Sequence, residues 1–124
     1  MKSLGCETAV SFSGWLEIGD VGKELRAADA LVLTSRFDAF GVVVLEAMAA
    51  GKAVLATRVG GLLEFIEPPV NRLVEPTVDG LAKGLADWLN RIDKIKEYGE
   101  RNVPNALKHS LSRMADQYLQ TYHE

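Results

Sequence analysis

The sequence is poor in the residues that build metal centres and disulfides: 124 residues hold one cysteine and two histidines. Cys6, the single cysteine, cannot form an internal disulfide, and His109 and His123 lie far downstream of it near the carboxyl end. Metal-ligand spacing is therefore missing, and neither a metal site nor a resident cofactor is expected. Long hydrophobic runs are absent too. The longest, Val42 to Ala50, is interrupted by Glu46 and falls far short of the roughly 20 residues that a membrane span needs. Neither sign of charge dominates: 14 Lys plus Arg stand against 17 Asp plus Glu, for a net charge of -3 and a pI near 5.4. No electrostatic footprint for nucleic acid follows. Met1 to Cys6 lack the basic start and apolar centre of a secretory signal, so a soluble protein in a reducing, cytoplasmic setting is the expectation. No internal repeat or low-complexity segment is visible.

What is present is ordinary globular usage, 48% hydrophobic and 25% charged, enough for one domain with one core. Three short apolar runs read as strands, Ala9 to Phe12, Ala30 to Leu33 and Ala53 to Ala56, with a fainter one at Arg72 to Val74. They are continuous rather than alternating, the pattern of strands buried on both faces in a parallel sheet. Helical segments separate them. Asp20 to Ala28 reads as a helix capped by Asp20, and Phe40 to Ala50 as a second that stops at Gly51. Gly60 and Gly61 open a third, short helix through Glu64 and Ile66 that Pro68 and Pro69 close. From Asp79 onward the pattern becomes two long amphipathic helices, broken at Gly99, with Pro104 in the first turn of the last one. Both are expected to pack on the sheet. The fold class is α/β, a small parallel Rossmann-like sheet, with residues 1–78 as β/α core and 79–124 as a helical segment of one domain.

The stretch Thr34 to Gly51 joins a buried strand to a buried helix, and it carries the chemistry. In open parallel sheets, ligands bind beyond the carboxyl ends of the strands, where helix N-termini offer free N–H groups to anions. Gly41 removes a side chain where the backbone would approach a phosphate. Glu46, about one turn into an otherwise apolar helix, would be costly if buried unpaired and should face a polar cleft or a partner. Two hydroxyls of a vicinal diol such as ribose would suit it, and so would a cation such as Arg58.

Asp38, Phe40, Gly41, Glu46, Ala47, Met48, Ala49 and Gly51 together resemble the signature of retaining GT-B glycosyltransferases related to glycogen and sucrose synthases. The flanks are similar too: Val10 to Trp15 resembles the strand and glycine that approach the donor base, Val59, Gly60, Gly61 and Glu64 the Gly-Gly turn after the next strand, and Arg113 to Tyr122 the closing helix. The resemblance implies transfer of a sugar from a nucleoside diphosphate sugar to an acceptor that the sequence leaves unnamed. It implies roles residue by residue: Glu46 on the ribose diol, backbone N–H groups of Gly41 and Val42 with Phe40 beside them at the diphosphate or sugar, Asp38 on the sugar hydroxyls as the catalytic-site residue, Gly14 by the base, and Gly60 and Gly61 on the wall of the cleft.

There are departures. Asp38 stands where the family usually has Glu, one methylene longer, and Lys52 and Ala53 replace the common x-Pro pair. The family's donor domain begins with two further βα units whose cations neutralise the diphosphate, preceded by an acceptor domain. The sequence therefore reads as a truncated donor-binding domain, expected to bind the nucleotide sugar weakly and not to be a competent enzyme alone. In the doubly wound order 3-2-1-4-5-6, the Ala9 and Ala30 strands would be third and fourth and would not be neighbours. A companion N-terminal chain, a homodimer or local re-pairing would fill the gap, with self-association favoured. The alternative is a non-catalytic remnant that folds and self-associates. Other chemistries fail: Gly51 and Lys52 close a helix instead of opening one as a Walker loop does, Ser13 and Ser35 occupy strand ends where a phosphorylatable receiver has an Asp, and Ser35 has no nucleophile elbow.

Overall fold

A computed structural model describes residues 5–123, so Met1 to Leu4 of the opening segment and Glu124 lie outside the description. Three strands form an all-parallel sheet in the order β1 (Ala30–Leu33), β2 (Ala53–Thr57), β3 (Arg72–Val74). The register pairs Ala30 with Ala53 through Leu33 with Ala56, and Leu55 with Arg72 through Thr57 with Val74. β2, in the middle, is buried throughout. Its side chains divide by the twofold period of a strand. Val54 and Ala56 join one cluster with Val44, Met48, Leu62 and Phe65, while Ala53 and Leu55 join another with Val74, Trp88 and Ile95. The expectation of continuous apolar strands buried on both faces holds for β2, which helices cover on both sides, whereas β1 at the sheet edge leaves Val32 exposed and β3 is half-buried.

The helices are α1 (Ile18–Ala27), α2 (Val42–Ala49), α3 (Val78–Leu89), α4 (Ile95–Leu107) and α5 (Leu111–His123), with short 3₁₀ turns at Gly60–Glu64 and Ile92–Lys94. α1 begins earlier than the sequence suggests. Glu17 is at its cap position and Asp20 lies in the first turn, where its carboxylate pairs with Lys23 at 2.7 Å instead of capping. α2 ends as expected, with Gly51 beyond it at φ 72°. The Gly60 segment is a 3₁₀ turn that stops at Glu64, short of Ile66.

Three features of the sequence reading are corrected. Ala9–Phe12 forms no strand and makes no ladder with β1; Val10 and Phe12 are exposed. Apolar, β-prone residues need a neighbouring edge to become a strand, and this segment does not lie along one. Second, the carboxyl-terminal part holds three helices, with Gly99 and Pro104 both inside α4. Gly99 suits this position because α4 packs so closely on the end of α2 that a Cβ there would overlap the Gly51 carbonyl. Third, α5 does not pack on the sheet: residues 111–122 are all exposed. α2 and the end of α4 cover one face of β2, and α3 with the start of α4 the other, so the central strand is covered without it.

Candidate functional site

The site is built where β1 and β2 end. After Leu33 the chain runs as an irregular loop to Gly41 and turns into α2; after Thr57 it turns through Val59 into the Gly60–Glu64 3₁₀ turn. These two connections lie against each other. A Cβ built on Gly61 would be 2.6 Å from the Ala39 carbonyl oxygen, and one on Gly60, itself at φ 51°, would fall on the Asp38 carbonyl oxygen. Both positions therefore tolerate only hydrogen, and the space that their missing side chains leave is filled by the loop backbone.

Gly41 is the N-cap residue of α2, in the left-handed region at φ 72° and ψ 49°, which L-residues rarely adopt. A Cβ there would overlap Cδ2 of buried Leu62. The sequence suggests that Gly41 makes room for a phosphate; the structure shows the room taken by Leu62. What remains open is the backbone. No side chain caps α2, and its first amides bond nothing among the described residues, since the Gly41 carbonyl takes Val44 N–H and Leu45 N–H. Asp38 bends its own loop: Oδ1 accepts the Phe40 N–H at 3.1 Å.

Glu46 is exposed on α2, and its carboxylate has neither a hydrogen bond nor an ion pair among the described residues. Arg58, the cation that the sequence offers it, instead pairs with Glu75, Nε to Oε1 3.4 Å. With Phe40 and Val42, Glu46 lines a cleft of about 780 Å³ between α2 and the α4–α5 turn, whose opposite wall includes Lys108, His109 and Met114. The buried Phe65 ring links the two walls, with its centroid 5.5 Å from that of Phe40 and 5.6 Å from that of His109. The Asn105 side chain donates to the Phe65 carbonyl at 2.9 Å.

The sequence-predicted residues thus divide into groups. Asp38 meets Gly60 through its backbone; Phe40, Val42 and Glu46 share the cleft; Gly41 joins the two as the start of α2. Gly14 joins neither: it lies at φ 68° in an exposed stretch with open space around its α-carbon. Sequence reasoning missed Thr57, whose buried hydroxyl donates to the Ser35 carbonyl, and the cleft wall around Lys108 and His109. A threonine ending an otherwise apolar strand was the available signal for the first.

An uncapped helix N-terminus and an unpaired carboxylate one turn later thus stand beyond the carboxyl ends of parallel strands, where open α/β sheets bind their ligands. The family model for glycosyl transferases group 1 matches residues 1–103, and the chain belongs to that family. It is 37% identical over 128 residues to an uncharacterized glycosyltransferase of Methanocaldococcus jannaschii, an alignment that takes in 96% of this chain and 31% of the relative. Its fold is similar to sucrose-phosphate synthase from Thermosynechococcus elongatus, with a TM-score of 0.85 at 26% identity over 98% of this chain and 31% of that one. It is similar also to HepE of Anabaena, solved in complex with UDP-glucose, with a TM-score of 0.84 at 26% identity over 98% of this chain and 34% of that one. The chain spans about a third of the length of these proteins. The three-stranded α/β fold is that of these GT-B neighbours.

Proposed function

We propose that the chain forms the donor-binding part of a retaining glycosyltransferase that moves a sugar from a nucleoside diphosphate sugar to an acceptor. The observation that carries this reading is the pairing of two unsatisfied groups on α2: open amides at Val42 and Val43 and, one turn on, the unpartnered Glu46 carboxylate. Amides at a helix N-terminus attract a diphosphate. The carboxylate accepts both hydroxyls of a ribose diol in charge-assisted hydrogen bonds. Asp38, with Oδ1 engaged by the Phe40 N–H, keeps Oδ2 for a sugar hydroxyl. Gly14 and its neighbours would lie by the base. UDP-glucose bound to a neighbour of the same fold supports the donor class.

Charge-assisted hydrogen bonds from two amides to the diphosphate and from the ribose diol to the carboxylate, offset by the freedom lost on association, leave on the order of 4 kcal/mol, which corresponds to a dissociation constant of about 1 mM. Calorimetric titration of the chain with UDP and UDP-glucose tests this. Millimolar binding of both agrees with it, and absence of binding at ten-millimolar-scale nucleotide refutes it.

A second reading, self-association of the isolated chain, is favoured by one observation. Among the described residues no strand lies on the outer edge of β1, and Phe12, Trp15 and Ile18 stand exposed on the segment that precedes it. Open strand edges with apolar surroundings recruit further strands.

A further inference from the structure

Thr57 ends the buried middle strand, 0% exposed, and a hydroxyl in such surroundings must find an acceptor. It finds one outside its own strand, donating from Oγ1 to the Ser35 carbonyl at the start of the loop that carries Asp38. From Thr57 the chain folds over, Arg58 N–H donating to the Val74 carbonyl at 2.7 Å and Val59 N–H to the Thr57 carbonyl at 2.9 Å. This brings Gly60 onto the Asp38 carbonyl and Gly61 to within a Cβ's reach of Ala39 and Phe40: a Cβ on Gly61 would stand 2.6 Å from the Ala39 oxygen and 3.3 Å from the Phe40 α-carbon. One short segment therefore holds the loop at both ends, by a hydrogen bond at Ser35 and by two bare α-carbons at residues 38–40.

We propose that Thr57, Gly60 and Gly61 are positioning residues for Asp38, fixing the loop that carries it without touching the ligand. The missing Cβ of a glycine lets neighbouring groups approach its α-carbon closely. At Gly60 and Gly61 those groups are the carbonyls of Asp38 and Ala39. The loop in turn sets the Asp38 carboxylate, because Oδ1 is bound to the Phe40 N–H. The role of Asp38 on the sugar rests on the proposed function above; the clamp itself does not.

The test uses the whole chain and four variants: Thr57→Val, which loses the hydroxyl at similar size, Thr57→Ser, which keeps it, Gly61→Ala, which presses on Ala39, and Gly19→Ala as control, since nothing lies within 4 Å of that position. The first readout is amide hydrogen exchange at Phe40, compared with Val54 and Ala56 of β2, and it needs no nucleotide. Exchange at Phe40 should rise about tenfold in Thr57→Val and Gly61→Ala relative to the β2 amides, and stay within about twofold of wild type in Thr57→Ser and Gly19→Ala. Unchanged Phe40 exchange in both Thr57→Val and Gly61→Ala overturns the proposal. Should Gly61→Ala also lose protection in β2, the Thr57→Val and Thr57→Ser pair decides. The second readout is affinity for UDP-glucose against UDP. Thr57→Val and Gly61→Ala should weaken UDP-glucose by about threefold or more while leaving UDP unchanged, because Asp38 faces the sugar. Equal weakening of both by Gly61→Ala would show that this glycine meets the nucleotide itself, and would overturn its positioning role. If wild type bound neither nucleotide, the donor-binding reading would fall and the exchange result alone would decide the clamp.

Discussion

Asn71 and Asn102 grip each other through reciprocal amide hydrogen bonds, Nδ2 to Oδ1 2.8 Å in one direction and 2.7 Å in the other, with both residues 2% exposed. Each also reaches a backbone group at the start of β2: Asn71 Oδ1 accepts the Val54 N–H at 3.0 Å, and Asn102 Nδ2 donates to the Lys52 carbonyl at 2.8 Å. Since β3 pairs with β2 only from Leu55 onward, Asn71 completes the ladder where the partner strand has not yet begun. Asn102 brings α4 to the same point. The pair ties the beginnings of two strands and a helix together, at the end of the sheet opposite Asp38.

Removing one partner should therefore be costly. Asn102→Ala strands the Asn71 amide and the Lys52 carbonyl, each about 1–3 kcal/mol if left unsatisfied and buried. The thermal midpoint should fall by on the order of 10 °C. A midpoint within a degree or two of wild type would mean that water enters and the pair contributes little.

Gly41→Ala combines two penalties, a left-handed backbone and a Cβ overlapping Leu62. A loss of about 2–4 kcal/mol is expected by chemical denaturation. Adding Leu62→Ala should relieve the overlap but not the backbone strain, so the double variant should lose less than the sum of the singles. Strict additivity would show that Leu62 does not constrain Gly41.

Much of this framework is legible in the sequence, for identifiable reasons. β1, β2 and β3 stand out because apolar runs between turn residues have few other uses, and β2 overshoots its predicted end by one residue, Thr57. Asp38, Gly41 and Glu46 stand out because their residue types are locally anomalous. Distance in sequence hides the rest. The acceptor of the Thr57 hydroxyl is 22 residues away, and the Asn71–Asn102 partners are 31 apart. Gly99 and Pro104 are poor helix formers, so propensity reads a break where tertiary packing of α4 on α2 and β2 keeps a helix. Ala9–Phe12 shows the opposite error, strand composition without a strand edge to join.

The exposed apolar side chains predict behaviour in solution. Phe12, Trp15 and Ile18 are 78%, 92% and 89% exposed, and α5 adds Leu111 and Tyr122 at 78% and 85%. Light scattering on the chain at micromolar concentration should report a mass above the 13.5 kDa of one copy. A monodisperse 13.5 kDa species would remove the self-association reading and leave the donor-binding one intact.

In the proposed function Glu46 recognises the ribose of a donor nucleotide and does not hold the fold together. Its carboxylate has no partner among the described residues, so Glu46→Gln should leave the thermal midpoint within about two degrees of wild type. Saturation-transfer NMR with UDP-glucose tests this role of Glu46. Wild type should transfer saturation most strongly to the ribose protons, and Glu46→Gln should weaken binding by about tenfold or more, the loss of one charge-assisted hydrogen bond or two. Undiminished transfer to ribose in a folded Glu46→Gln variant would contradict that role.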